Sequence, residues 1–540
     1  APLADLAELA GHAGVRASWS APLRPLLDDA LQASRVPELL AATGRAGAGT
    51  ALGVVDTGAD PSHPDLRRED GTTRIAWYVD FSRPPLGRHR DLEQRCADAD
   101  LPCAVLAAAD LDELLVAGRD DLLPVDSLGH GTHVTAAAAG TGAAGSAYRG
   151  VAPEATLLIA NVSNDSFGIT DAAVVLATEL LFELAERTGQ EARGAPLPCV
   201  VNLSLGSDFG PHDGTASLDR GLAALVGPEH PGRAIVVAAG NSGVLRVEGG
   251  AFPDPLGVHA EVNVTEGPGT RVPLVTFPPP YAGEEYDATI FVWIALRPGD
   301  DLRVGLDRRR GSFIRPKPRG TQATYGDERF TVTIVHGATG DPELGRADSV
   351  AVVLDGRWPR SETFALRLEG SGTARIWVQS AGDLDPARGG SGALLPGAEK
   401  EGTLTVPGAA ERLISVGATL NRTGWTDRTG RAQTTGPLGS AAHPRVDSVA
   451  YFSSAGPTSD LRQKPDLVAP GAFLISAMSR DADPRTSATG MFGGGGFCEP
   501  ALDCAVVDAT HAVSSGTSMA APLVAGAAAL LLEADPALDA

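Results

Sequence analysis

The chain has 540 residues, of which 43% are hydrophobic and 21% charged, with a formal net charge of −23. This length suffices for a large core and more than one domain, and the composition is that of a globular protein. The acidic balance, with lysine only at Lys317, Lys400 and Lys464, argues against nucleic acid or anionic lipid as a partner, and no apolar run has the length of a membrane-spanning segment.

The chain opens at Ala1 with neither an initiating Met nor a signal-like stretch, as expected of a mature or trimmed form. Residues 1–48 carry helical periodicity and end in a Gly-rich link. Ala51 to Val55 is a continuous apolar run ending in Asp56-Thr57-Gly58, which predicts a buried parallel strand with an aspartate at its carboxyl end. Open α/β sheets build their sites at that end. A lone Asp-Thr-Gly would also suit an aspartic protease, but such an enzyme needs a second carboxylate facing the first.

A long connection follows, read as a surface excursion near a cleft, before Gly129-His130-Gly131-Thr132-His133 opens a small-residue helix over His130 to Gly140. His133 lies three residues on, on nearly the same helix face, and is read as structural. A strand over Thr156 to Val162 and an amphipathic helix over Thr170 to Arg187 come next. The apolar runs Cys199 to Leu205 and Ala234 to Ala239 end in Ser204-Leu205-Gly206 and in Gly240-Asn241-Ser242-Gly243.

The pattern then turns β-rich, with alternating runs at Val272–Phe277, Ala288–Leu296, Leu302–Leu306, Phe330–Val335, Ser349–Leu354, Thr363–Leu368 and Thr373–Gln379, separated by Gly, Pro and Asp turns. Such spacing predicts a β-sandwich or jelly roll. The apolar scaffold resumes at Leu413 to Ala418. Near the end, Ser514-Ser515-Gly516-Thr517-Ser518-Met519 runs into an Ala-rich helix, Ala520 to Glu533. A serine at a helix start faces free N–H groups and a dipole that favours developing negative charge.

Five cysteines are present. Cys96 with Cys103, and Cys498 with Cys504, are expected as local disulfides of an exported protein, and Cys199 as a buried free thiol. No His or Cys cluster has metal-ligand spacing.

A serine hydroxyl becomes a nucleophile when a base takes its proton and a carboxylate orients that base. The motifs around Asp56, His130 and Ser518 supply these groups in the order Asp, His, Ser, and with Tyr451 to Pro457 and Lys464 to Gly471 they resemble the subtilisin-like serine proteases. The resemblance implies an α/β fold, a doubly wound and mostly parallel sheet, carrying an inserted all-β sandwich domain; clostridial spore-germination proteases are similar in that insertion. It implies Asp56, His130 and Ser518 as catalytic, Asn241 in the oxyanion hole, and two substrate-binding segments: Ser204, Leu205 and Gly206, whose backbone pairs with extended substrate, and Ala238, Ala239 and Gly240, which help wall the pocket for the side chain before the scissile bond. The domains expected are 1–48, an arm or pro-segment remnant; 49–257, the first catalytic part; 258–397, the insertion; and 398–540, the second catalytic part. The activity implied is that of a secreted or cell-envelope, bacterial-like serine endopeptidase acting on polypeptide. No cofactor is required for that chemistry. Many relatives hold a structural calcium ion, and the resemblance leaves one possible here, but Gly142 to Arg149 lacks carboxylate and amide oxygens, so a cation there would depend mainly on backbone carbonyls and water; Asp65 alone makes no site. The resemblance leaves room for a separate pro-domain or C-terminal fragment as partner, with a cut or processed C-terminus at Ala540. The alternative is a catalytically degenerate scaffold acting as a binding or regulatory protein.

Overall fold

The computed structural model describes residues 43–539, with Ala30, Ser34 and Glu38, apart from 144–147, 164–167, 248–251, 338–348, 386–389, 436–443, 494–497, 499–502 and the positions 281, 298, 310, 327, 328 and 488. The arm expected over residues 1–48 therefore lies almost wholly outside the described residues.

An eight-stranded sheet forms the centre, in the order Leu467–Ala472, Ile414–Leu420, Arg233–Ala238, Cys199–Leu203, Ala51–Asp56, Thr156–Asn161, Ile75–Asp80, Ala104–Ala107. All its neighbours run parallel except the last pair. Burial on both faces explains the unbroken apolar runs read in the sequence. Along Ala51–Asp56, Leu52 and Val54 point to the face covered by the His130 and Ser518 helices, while Ala51 and Val55 point to the face covered by the helix Asp171–Arg193. This is the doubly wound α/β arrangement.

The helix expected over Thr170 to Arg187 starts one residue later, because the Thr170 hydroxyl accepts from Ala173 N as an N-cap. It continues to Arg193, where Gly194 adopts a left-handed φ of 72°. The long connection between Asp56 and His130 is not a surface excursion. It contributes two strands to the central sheet and the helices Arg90–Asp98 and Ala108–Val116. The run Ile75 to Val79 is apolar and rich in strand-forming residues, and it continues the central sheet.

An all-β unit interrupts the scaffold, from the strand Leu256–Gly257 to the strand Ala393–Pro396, with eleven strands paired antiparallel. Its own core contains Ile290, Val292, Ile294, Val352 and Leu366. The two runs expected at Thr363–Leu368 and Thr373–Gln379 are one continuous strand, Phe364–Gly382. Gly370, at φ 114°, lets it bend without ending. Its first half pairs with Asp301–Arg308 and its second with Glu285–Leu296.

The unit sits on the loop that follows Cys199–Leu203. Phe209 lies 5.5 Å from the rings of both Phe291 and Trp293, and His212 stacks on Trp377 at 4.3 Å. Gln379 Oε1 accepts from Ser207 Oγ and Asp208 N, both at 2.8 Å. Disulfides join Cys96 to Cys103 and Cys498 to Cys504, and Cys199 is buried and unpaired. The helix Thr517–Ala534 is long and apolar enough to cross a membrane, but it packs between the sheet and the His130 helix. There Gly526 permits the close approach, since a Cβ on it would lie 2.6 Å from Val151 Cβ and 2.8 Å from Ala138 O.

Among the described residues no group of three His, Cys, Asp or Glu side chains could hold a metal ion. Asp65 instead meets an imidazole: His511 Nε2 lies 3.0 Å from Asp65 Oδ2, and His511 Nδ1 lies 2.9 Å from Asp508 Oδ1.

Candidate active site

Asp56 ends its strand at the carboxyl edge of the sheet, and His130 begins its helix directly opposite. The His130 Nδ1 donates to Asp56 Oδ1 at 2.6 Å, and Thr57 N donates to the same oxygen at 2.8 Å. The glycine after His130 makes this possible, since a Cβ on Gly131 would lie 2.0 Å from the Gly58 carbonyl oxygen. Through Oδ1 the buried carboxylate faces the imidazole directly.

A second carboxylate lies beneath the pair. Buried Asp126 accepts from Thr57 Oγ1 at 2.9 Å, Gly129 N at 2.9 Å, Thr132 N at 2.8 Å and Thr132 Oγ1 at 2.7 Å. It thereby ties the end of the Asp56 strand to the start of the His130 helix. Burial pushes its own pKa up to about 6, against those four donors. For His130, burial opposes the charged ring, but Asp56, as charge and as acceptor, and then Asp126 outweigh it, so the pKa lies above the ordinary value. His133, the second histidine of the motif, is wholly buried, and its Nε2 donates to the Ala512 carbonyl at 3.2 Å; burial and the neighbouring His130 push its pKa down to about 3. It is a structural residue.

Ser518 is the second residue of its helix, whose N-cap is Gly516 with no side-chain cap. Its N–H is among those with no intrahelical acceptor. The Ser518 hydroxyl donates to the Ser204 carbonyl at 3.1 Å, and the Ser204 hydroxyl donates to the Ser518 carbonyl at 2.7 Å. Asn202 Nδ2 holds that Ser204 hydroxyl from behind at 2.9 Å.

Asn241 is anchored by its oxygen: Oδ1 accepts from Thr517 N at 2.9 Å and Thr517 Oγ1 at 3.1 Å. The amide is planar, so its NH₂ is left on the other side, beside the start of the Ser518 helix. Thr517 Oγ1 also accepts from Gly240 N at 3.1 Å, so one hydroxyl joins the Ser518 helix to both Gly240 and Asn241.

Of the remaining expected residues, Ser204, Ala238 and Ala239 are buried, Leu205 and Gly240 are partly exposed and Gly206 is exposed. The Ala239 N–H donates to the Val416 carbonyl and its own carbonyl accepts from Thr405, so this segment serves as a buried wall. The expectations missed Asn202, Asp126 and Thr517. Thr517 alone had a visible signal, since it stands next to Ser518. The roles of Asp126 and Asn202 depend on contacts between distant segments. Chemically the arrangement is a carboxylate-oriented imidazole, a hydroxyl at a helix start and amide donors beside it.

The Subtilase family model matches residues 47–265 and 353–540. The chain is 25% identical over 513 residues to a PII-type proteinase of Lacticaseibacillus paracasei, covering 90% of this chain and 23% of the relative. It is 24% identical over 507 residues to a PIII-type proteinase of Lactococcus lactis subsp. cremoris, covering 90% of this chain and 22% of the relative. It thus spans less than a quarter of the length of these relatives. The fold is similar to that of the Clostridium perfringens CspB protease, with a TM-score of 0.62 and 20% identity, over 94% of this chain and 86% of that one. With a family model matching well over half of its length, on both sides of the β-rich insertion, the chain belongs to the subtilase family.

Proposed function

We propose that the chain is a serine endopeptidase in which Asp56, His130 and Ser518 act as a triad on polypeptide substrates. The observation that carries this reading is the 2.6 Å bond from His130 to Asp56, at the same sheet edge where the Ser518 helix begins. Family membership supports it.

In this reading, Asp56 fixes the tautomer with the proton on Nδ1, leaving Nε2 free to accept. His130 Nε2 takes the Ser518 Oγ proton as that oxygen attacks the peptide carbonyl, and Asp56 stabilises the resulting imidazolium. The oxyanion is held by Asn241 Nδ2 and the Ser518 N–H, both preorganised by the Thr517 contacts. His130 then gives its proton to the leaving amine, and water, activated by the same imidazole, hydrolyses the ester to free Ser518. The backbone of Ser204–Gly206 pairs with the extended substrate, and Ala238–Gly240, whose backbone is bonded to Val416, Thr405, Thr517 and Ser454, helps wall the pocket for the side chain before the scissile bond. No cofactor takes part in these steps.

We further infer a division into an arm (1–48), two catalytic parts (49–257 and 398–540) and an inserted sandwich of jelly-roll type (258–397) that borders the substrate cleft. The contacts of Gln379 and Trp377 with the loop after Ser204–Gly206 support that last point. Two disulfides support an extracytoplasmic, secreted or envelope location.

The test is hydrolysis of an unfolded protein such as reduced casein by the wild type and by Ser518→Ala. Cleavage by the first and none by the second is expected; equal cleavage by both would remove Ser518 from the chemistry.

A further inference from the structure

If the endopeptidase reading holds, the side chain preceding the scissile bond lies between two backbone walls, Ser204–Gly206 and Ala238–Gly240. Each wall ends in a glycine. Two facing glycines ordinarily leave a slot between them, because neither projects a Cβ.

Here the slot is filled. A Cβ on Gly206 would lie 2.6 Å from Thr405 Oγ1 and 3.1 Å from Thr405 Cβ. A Cβ on Gly240 would lie 2.5 Å from Thr405 Cγ2 and 2.8 Å from Thr405 Oγ1. One side chain thus abuts both walls at once.

Thr405 is also fixed in place. It is 5% exposed, its N–H donates to the Ala239 carbonyl at 3.0 Å, and its hydroxyl donates to the same oxygen at 3.2 Å. Its β-branch restricts χ1. The next residue, Val406, exchanges two backbone hydrogen bonds of 2.9 Å with Ser207, just beyond the first wall. Floor and wall are therefore one braced unit. A neighbouring cavity of about 320 Å³ does not extend the slot, since it is lined by Asp208, Asn241 and Ser242 with Gln379 and Leu394 of the insertion, and not by Thr405 or the wall glycines.

We propose that Thr405 is a specificity-determining residue that closes the pocket for the residue before the scissile bond, so that the enzyme selects polypeptides with glycine, alanine or serine there. A longer side chain has to displace a braced, buried group. A difference of one methylene in such a pocket is worth about 10- to 200-fold in kcat/KM, so leucine, phenylalanine and arginine are disfavoured at least to that degree.

The experiment uses peptide substrates identical except at that position, with Gly, Ala, Ser, Val, Leu, Phe or Arg. Wild type, Thr405→Gly and Thr405→Ser are compared after active-site titration with a fluorophosphonate. Absence of a titratable site defeats the endopeptidase reading itself; a titratable enzyme tests the specificity alone. In the wild type, kcat/KM for Ala should exceed that for Leu and Phe by at least about tenfold. Thr405→Gly should raise Leu and Phe relative to Ala by about tenfold or more. Thr405→Ser, which removes only the methyl group abutting Gly240, should raise Val relative to Ala. A titratable wild type that favours Leu, Phe or Arg overturns the proposal, and so does an unchanged preference in the variants. Should Thr405→Gly fail to fold, the wild-type series and Thr405→Ser decide.

Discussion

Ser204 and Ser518 are bonded to each other twice, each hydroxyl donating to the other's carbonyl, at 2.7 Å and 3.1 Å. The reason lies four residues on. Pro522 has no N–H, so the Ser518 carbonyl lacks its normal helical donor, and the Ser204 hydroxyl supplies one. A proline in the Ser518 helix thus fastens that helix to the segment that follows Cys199–Leu203.

Ser204→Ala should leave the Ser518 carbonyl bare, costing about 1–3 kcal/mol of stability. It should also lower kcat by loosening the nucleophile. Urea unfolding and steady-state kinetics check this, with Ser204→Thr restoring the donor. Full activity and stability in Ser204→Ala would show that the bond is incidental.

Asn241→Leu removes one oxyanion donor and leaves Thr517 without its acceptor. The expected loss in kcat is about 10²–10³ with little change in KM, as is general for one such donor. A loss confined to KM would mean that Asn241 binds the ground state.

The acid limb of kcat/KM should follow His130, whose pKa lies above the ordinary imidazole value, so activity rises with pH through a pKa above about 6.5. Asp126→Asn removes a negative charge that favours the imidazolium. The acid limb should therefore move to lower pH, with a fall in kcat from the weakened brace. A fall in kcat with an unmoved limb would assign Asp126 a purely structural part.

The buried imidazole of His511, held between Asp65 and Asp508, is pushed up to about 9: burial opposes the charge, and hydrogen bonds and charge from Asp508 and Asp65 outweigh it. The His63 ring at 5.7 Å, the Tyr148 ring at 4.9 Å and the Thr510 hydroxyl also lie against it. A pKa raised on folding contributes stability that is complete below about 6.5 and is lost as pH rises through about 9, on the order of 3 kcal/mol. The melting temperature should fall across that window in the wild type and stay nearly flat in His511→Asn. Parallel profiles for the two proteins would contradict the assignment.

The triad candidates were legible in the sequence because each carries its own local signature: Asp56 ends an apolar strand, His130 stands between two glycines, and Ser518 opens an apolar helix. Asn241 was legible for the same reason. Thr405 was not, since nothing in Thr403-Leu404-Thr405 indicates a gap between Gly206 and Gly240, segments far away in the chain. Asp126 was one of many aspartates in loops, and only the folded chain brings Thr57 and Thr132 to it. In the β-rich insertion, alternation located most strands, but the runs Thr363–Leu368 and Thr373–Gln379 were read as separated by a turn where one strand continues. The strand Gly311–Lys317 escaped because Arg315 and Pro316 interrupt its apolar residues, and Thr321–Gly326 because Tyr325 is its only large apolar residue.

The most direct measurement is mass mapping of a fluorophosphonate adduct on the native protein. The account predicts one adduct, on Ser518, formed readily by the wild type and at least about 10³-fold more slowly by His130→Ala, which lacks the base. An adduct on another residue, or labelling of Ser518 that is indifferent to His130, would contradict it.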